Sequence, residues 1–276
     1  MKFSSEKGIV ALAALIVGAS IELAYGTAYL GAVFLLMSLV IIFLLAKNSE
    51  KEIPEVRRSW FLIVVGGGTI ALDLIANSFL ESEIQTFDTM VILFGISLMS
   101  YGSGSKYSEI GRFGVYFTLI FLTLFALLFM LPARVSMYIP YLYGHYAVAV
   151  PVVKLLESVG VGVRISDFRI IEVLGENHAF LRIDLACFGW YSLLLVTSMV
   201  LSYNIAFRWK DWRNVAKVLI VLSVAVYLAN LLRVATLVYL TYSFGSEFML
   251  KIHPHLGWIF FMLVLLPLSY VFLKMR

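Results

Sequence analysis

Long apolar runs separated by short polar stretches dominate the chain. A membrane-crossing helix needs about 20 mostly apolar residues. Runs of this kind lie at roughly 8–25, 28–46, 60–80, 87–101, 113–131, 187–207, 215–240 and 256–273, the fourth being the shortest. The first run follows Lys2 and Lys7 and begins like a signal peptide. It is long, lacks a small-residue cleavage pattern at its end and is soon followed by another run, so it is expected to be a retained span. One stretch, 132–186, breaks the rhythm. Val148 to Val161 has helix-like apolar spacing. Ile170–Leu174 and Ala179–Ile183, joined by a turn at 175–178, read as a β-hairpin. The expected fold is an all-α polytopic membrane protein, a single membrane domain over 1–276 with about eight transmembrane helices. A small extracytoplasmic cap of short helices plus a β-hairpin, at 132–186, is inserted between transmembrane helices 5 and 6.

Composition sharpens this picture. Apolar residues make up 62% of the 276, against about half in soluble domains, and charged residues only 14%. The net charge of +4 sits in short loops, where it sets orientation instead of marking a nucleic-acid partner. With the N-terminus in the cytoplasm, 14 of the 21 Lys and Arg residues fall on the inner side, from Lys2 and Lys7 to Lys274 and Arg276. The acidic loop Glu81-Ser82-Glu83 falls outside. An odd number of spans would place Lys274 and Arg276 outside and break the pattern. A multi-pass protein of the cell membrane with both termini cytoplasmic is therefore expected.

Cys187 is the only cysteine, which excludes an internal disulfide framework and a Cys-based metal cluster. The topology puts Cys187 at the outer end of the sixth span. Arg233 lies about 27 Å along the seventh, counting from Val215 at ~1.5 Å per residue. His253 stands at the outer entrance of the eighth, and Asn230 is one helical turn before Arg233 on the same face. Three residues distant in sequence thus reach a similar depth on the extracytoplasmic side. A thiolate is the nucleophilic form of cysteine. Histidine can take a proton and return it to a leaving group, and arginine can stabilise an oxyanion or hold a substrate anion. An arginine within a span is costly and marks function or a structural partner. Taken singly, each residue has a plainer role: a small buried hydrophobe, a snorkelling cation, a helix-cap histidine. His255 rivals His253 as the base, and the proline between them fits a helix start.

Other polar positions point less sharply. Glu22 and Asp73 lie inside spans, where they can pair with each other or with backbone donors. Gly66-Gly67-Gly68 lacks a following Gly-Lys-Ser/Thr and reads as close helix packing, not a phosphate loop. His145 and His178 have no metal-ligand spacing, and neither a metal nor an organic cofactor is indicated.

Ala186-Cys187-Phe188-Gly189, Asn230-Leu231-Leu232-Arg233 and His253-Pro254-His255-Leu256-Gly257-Trp258 resemble the exosortase/archaeosortase family in order, spacing and membrane position, an archaeal member being expected. The likeness covers 130–275 in detail; the first four spans match only as generic membrane helices. It implies a membrane cysteine transpeptidase or protease, similar in role to sortase but unrelated in fold. Such enzymes cleave exported proteins at a C-terminal tripartite signal: a short motif, a transmembrane helix and a basic tail. The new C-terminus passes to a phospholipid or other acceptor. The resemblance makes Cys187 the nucleophile that forms a thioester, Arg233 the group that stabilises the intermediate or positions substrate, and His253 the base and acid, with His255 its rival. Asn230, read from its helix position alone, is a supporting residue that orients the guanidinium or donates to the oxyanion. Two positions depart from the family pattern. Phe188 stands where a small hydroxyl residue is common, and some archaeal branches carry arginine at the third position. Glu50, Glu52 and Glu55 in an inner loop are candidate contacts for the substrate's basic tail, although Lys51, Arg57 and Arg58 share that stretch. The competing class is a polytopic transporter or channel using Arg233 with the intramembrane acids; repeated halves, common in transporters, are not apparent. The motifs His-Glu-x-x-His and Gly-x-Ser-x-Gly, which would mark hydrolases of other kinds, do not occur.

Overall fold

A computed structural model describes residues 27–48, 58–80, 85–104, 107–135, 139–175, 178–184, 187–207 and 211–274, with positions 12, 13, 15, 16, 18, 19, 22 and 23 ahead of them. The eight isolated positions are helical. Beyond them the labelled helices are α1 (Ala28–Asn48), α2 (Trp60–Leu80), α3 (Thr86–Gly102), α4 (Ser108–Arg134), α5 (Ile139–Ser158), α6 (Trp190–Phe207), α7 (Trp212–Phe244) and α8 (Ser246–Lys274). Strands β1 (Val163–Asp167), β2 (Ile170–Val173) and β3 (Ala179–Arg182) lie between α5 and α6.

Five helices are long and apolar enough to cross a bilayer among the described residues: α2, α4, α5, α6 and α7. Four of these coincide with expected spans. The fifth, α5, occupies the stretch expected to be a cap. The expected span at 87–101 is α3, only 17 residues long, and the first apolar run lies mostly outside the described residues. Of the about eight spans expected, five helices with membrane-crossing length and composition are found among the described residues.

Inside 132–186, the expected short helices plus a β-hairpin are replaced by one 20-residue helix and a three-stranded antiparallel sheet in the order β1-β2-β3. The hairpin at 170–183 is present, with Ile170 opposite Arg182 and Val173 opposite Ala179. The strand not foreseen, β1, is a five-residue segment with Val163 and Ile165 turned inward. Its alternation is too brief to stand out beside a 20-residue helix. Two prolines, Pro140 and Pro151, lie within α5. Pro151 has no N–H for the carbonyl of Ala147, four residues back. That carbonyl instead accepts the Tyr227 hydroxyl at 2.7 Å, and the backbone widens into a π turn over Gly144–Ala149. An external donor and a wide turn keep α5 continuous past Pro151.

The chain divides into two compact units, one of Met1–Met137 with Thr197–Val215 and one of Tyr138–Val196 with Ala216–Arg276. In the first, Phe113, Phe117, Phe121, Phe125 and Phe129 form a ladder of ring contacts along α4 at one-turn spacing. Gly66 of α2 meets Gly95 of α3 backbone to side: a Cβ on Gly95 would sit 2.7 Å from the Gly66 carbonyl. The first glycine of the triplet is thus a packing notch, while Gly67 and Gly68 face open space.

The second unit holds the residues singled out for chemistry. Its core joins Val148 and Val152 of α5, Ile171 and Val173 of β2, Phe188, and Val234 and Val238 of α7. The opposite face of the sheet carries Arg164, Glu172 and Phe180 as cross-strand neighbours. Glu172, only 5% exposed, accepts Arg164 Nε at 2.6 Å and meets His178 Nε2 at 2.6 Å. The Arg164 hydrogen bonds, followed by that of His178, hold its carboxyl down at about 2. A carboxyl with a lowered folded pKa stabilises the fold above its ordinary pKa of about 4.3 and loses that contribution as pH falls toward its folded value. Pepsin cleavage within 163–183 should accordingly accelerate as pH drops from about 4.3 to about 2 relative to a Glu172→Gln variant. Parallel pH profiles for the two would contradict this.

Candidate active site

Cys187 follows the end of β3 by five residues in sequence. Ile183 donates its N–H to the Arg169 carbonyl at 2.8 Å, and Cys187 donates its own to the Asp184 carbonyl at 2.8 Å. The Asp184 side chain is in turn held by Arg182 Nε at 3.1 Å. The expected helix start at 187 shifts to Trp190, because residues 187–189 form a turn closed by Gly189 at φ +75°. That left-handed conformation suits glycine and interrupts a helix. The half-buried thiol therefore stands on a turn ahead of α6.

Aromatic packing fixes this turn. Phe188 is 1% exposed and meets Tyr141 edge to face, with ring centroids 5.9 Å apart. It fills a notch that exists only because residue 144 is glycine: any Cβ there would overlap the Phe188 ring. Trp190 packs edge to face on Tyr143 at 5.2 Å. Phe188, in place of a hydroxyl residue, is thus a packing anchor for the turn and offers the thiol no donor.

Helix α7 supplies the polar face. Tyr227, Asn230 and Arg233 recur every three residues and so share one side of the helix. Tyr227 bonds α5 through the Ala147 carbonyl. Asn230 Nδ2 donates to the Cys187 carbonyl at 2.9 Å. Asn230 and Arg233, with Ser192 of α6 and Phe260 and Val264 of α8, line a cavity of about 10 Å³, room for about one water molecule.

The histidines separate. The eighth helix was expected to begin near 256 with His253 at its mouth; α8 instead begins at Ser246, directly after Gly245 at φ +82°. His253 and His255 both lie within it, and Pro254 is internal. Two residues apart on a helix means about 200° of rotation, nearly opposite faces. His253 is half-buried and within electrostatic reach of Arg233, whereas His255 is exposed. Cys187 is therefore joined to Asn230 by a hydrogen bond, Asn230 to Arg233 by a shared cavity wall, and Arg233 to His253 through its charge. Among the described residues there is no direct hydrogen bond between the thiol and His253.

The remaining candidates find local explanations. His145 Nδ1 meets the Phe168 carbonyl at 2.8 Å, and its ring stacks on Phe168; His178 belongs to the Glu172 cluster. Glu22 accepts the Thr27 N–H at 3.0 Å, and Asp73 lies 3.5 Å from the Asn77 amide. No group of three or more His, Cys, Asp and Glu is placed to hold a metal among the described residues. Glu50, Glu52 and Glu55 lie outside them. Tyr227, Gly144 and Ser192 were not foreseen. Only Tyr227 left a trace in the sequence, preceding Asn230 by the same three residues that separate Asn230 from Arg233.

Comparison with known families gives a match to the transmembrane exosortase over residues 11–270, nearly the whole chain. The chain belongs to the transmembrane exosortase family. No curated protein and no solved structure matches it. As an exosortase it is a multi-pass membrane protein of a cysteine transpeptidase family, and its one thiol sits on a constrained turn beside a helix bearing an amide and a guanidinium.

Proposed function

We propose that this exosortase cleaves membrane-anchored proteins bearing a C-terminal transmembrane sorting signal, through a thioester on Cys187, and transfers the new C-terminus to a phospholipid or other acceptor. The supporting observation lies on α7: Asn230 holds the Cys187 turn through a hydrogen bond, and Arg233, one helical turn on, lines the same cavity. The Cys187 thiolate attacks the substrate carbonyl carbon. The oxyanion that develops is stabilised by the Arg233 guanidinium, which stays charged and can donate several hydrogen bonds. His253 delivers the thiol's proton to the departing amine as the C–N bond breaks, leaving the acyl group on sulfur. An incoming hydroxyl, amine or water gives its proton to His253, attacks the thioester and restores the thiol.

The site is assigned to the extracytoplasmic side of the cell membrane, with both termini cytoplasmic. Charge supports placing α5 outside the bilayer. It is the least apolar of the five candidate helices, carries Lys154 and Glu157, and buries Val148, Val152 and Leu156 in its own unit. If it crossed the bilayer, Arg208, Lys210, Arg213, Lys274 and Arg276 would all move outside, against the positive-inside pattern. Its apolar face is instead matched to the core under the sheet.

Reconstitution in vesicles with a substrate carrying such a signal tests the activity. The product should be shortened and gain either the mass of a phospholipid or that of water. Intact substrate, or equal cleavage by a Cys187→Ala variant, would refute the proposal. His253→Ala should lower the rate about 10²–10⁴-fold, the usual worth of acid–base catalysis. His255→Ala should stay within about threefold of the parent chain, as expected for an exposed residue on the opposite helix face. The reverse order in a rate assay would move the base to His255.

A further inference from the structure

We infer that Asn230 is a positioning residue that clamps the Cys187 turn to α7, and not a donor to the oxyanion; this rests on the proposed role of Cys187. Asn230 is 7% exposed, and its amide nitrogen is engaged by the Cys187 carbonyl at 2.9 Å. A Cβ on Gly189 would lie 2.7 Å from the Asn230 side-chain carbon, so the turn rests flush on the amide. Facing a carbonyl fixes which way the amide is turned, since the flipped form would set two acceptor oxygens against each other. The amide oxygen is left to accept, and the cavity beside it is also lined by Ser192 and Arg233. Arginine only donates. One amide can therefore match a carbonyl on the thiol's turn with one end and the donors of that cavity with the other. The left-handed Gly189 and the asparagine make a paired fit in which a side chain at 189 is not accommodated.

The sole cysteine makes the test unambiguous, because any maleimide label reports Cys187. The full-length chain in membranes is compared with Asn230→Ala and Asn230→Asp, measuring the N-ethylmaleimide labelling rate and substrate processing. Loss of a buried hydrogen bond worth about 1.4 kcal/mol should free the turn and speed labelling about tenfold. Processing should fall at least about tenfold while substrate still co-purifies, a loss in turnover and not in binding. In Asn230→Asp the labelling rate, relative to the parent chain at the same pH, should return toward normal on acidification, because the protonated carboxyl regains a donor. A purely space-filling role would show no such recovery. Labelling within about twofold of the parent in both variants would overturn the clamp. Faster labelling with undiminished processing would overturn its part in the reaction. Undiminished processing by Cys187→Ala would instead sink the nucleophile assignment, and the labelling rates would still score the clamp.

Discussion

Cys187→Ala is expected to leave substrate unprocessed, with the full-length precursor accumulating in the membrane. Removing the nucleophile of a covalent mechanism costs on the order of 10⁴-fold or more, and no other thiol is present to substitute. Cys187→Ser should be nearly as poor, since a hydroxyl is far weaker as a nucleophile near neutral pH. Neither change should unfold the second unit. The turn is held by Phe188 in its Gly144 notch and by backbone bonds at 183 and 187, not by the half-buried sulfur. Quantitative blotting of precursor and product gives the processing rate, and heat-induced aggregation reports stability. Processing by Cys187→Ala at more than a few per cent of the parent rate would contradict the expectation.

Arg233→Lys should lower processing by about 10²–10³-fold although the charge is kept, the usual size of losing a preorganised oxyanion donor. The guanidinium presents a rigid fork of donors, whereas an ammonium is a compact, strongly hydrated charge on a flexible stem. Its neighbours make geometry decisive: Asn230 lies one turn earlier on α7, the cavity has room for about one water, and His253 stands within electrostatic reach. A lysine there would keep the field at His253 but lose the fixed donor directions. If Arg233→Lys processes substrate at the parent rate, charge alone suffices and the guanidinium geometry plays no part. Arg233→Ala separates the cases further, since it should be at least as damaged as Arg233→Lys.

The sequence points to a candidate site because membrane spans convert sequence position into depth. Lysine and arginine in loops give the direction of each span, and counting residues at ~1.5 Å each then brings Cys187, Arg233 and His253 to one level. Periodicity also revealed the β2–β3 hairpin. What stayed hidden depended on tertiary partners. The continuity of α5 past Pro151 draws on Tyr227, eighty residues from Ala147, which supplies the donor that Pro151 lacks. The apolar character that gives α5 the composition of a span is used against the sheet, and strand β1 is too short to declare itself. The start of α8 was misplaced because Pro254 resembles a helix beginning, whereas the left-handed Gly245 allows α8 to restart at Ser246. Phe188 read as a lost donor and emerges as the packing anchor of the Cys187 turn, a role visible only once Gly144 is opposite it. The different exposure of His253 and His255 likewise needed the helix phase.

A covalent intermediate is the most direct test of the central claim that Cys187 acts as the nucleophile of this site. The full-length chain in membranes is mixed with substrate, quenched in acid to preserve thioesters and digested for mass spectrometry. The account predicts a substrate-derived acyl group on the peptide containing Cys187, removable by hydroxylamine and lost in Cys187→Ala. Product forming while that peptide stays unmodified at every time point, at the same rate in Cys187→Ala, would contradict it.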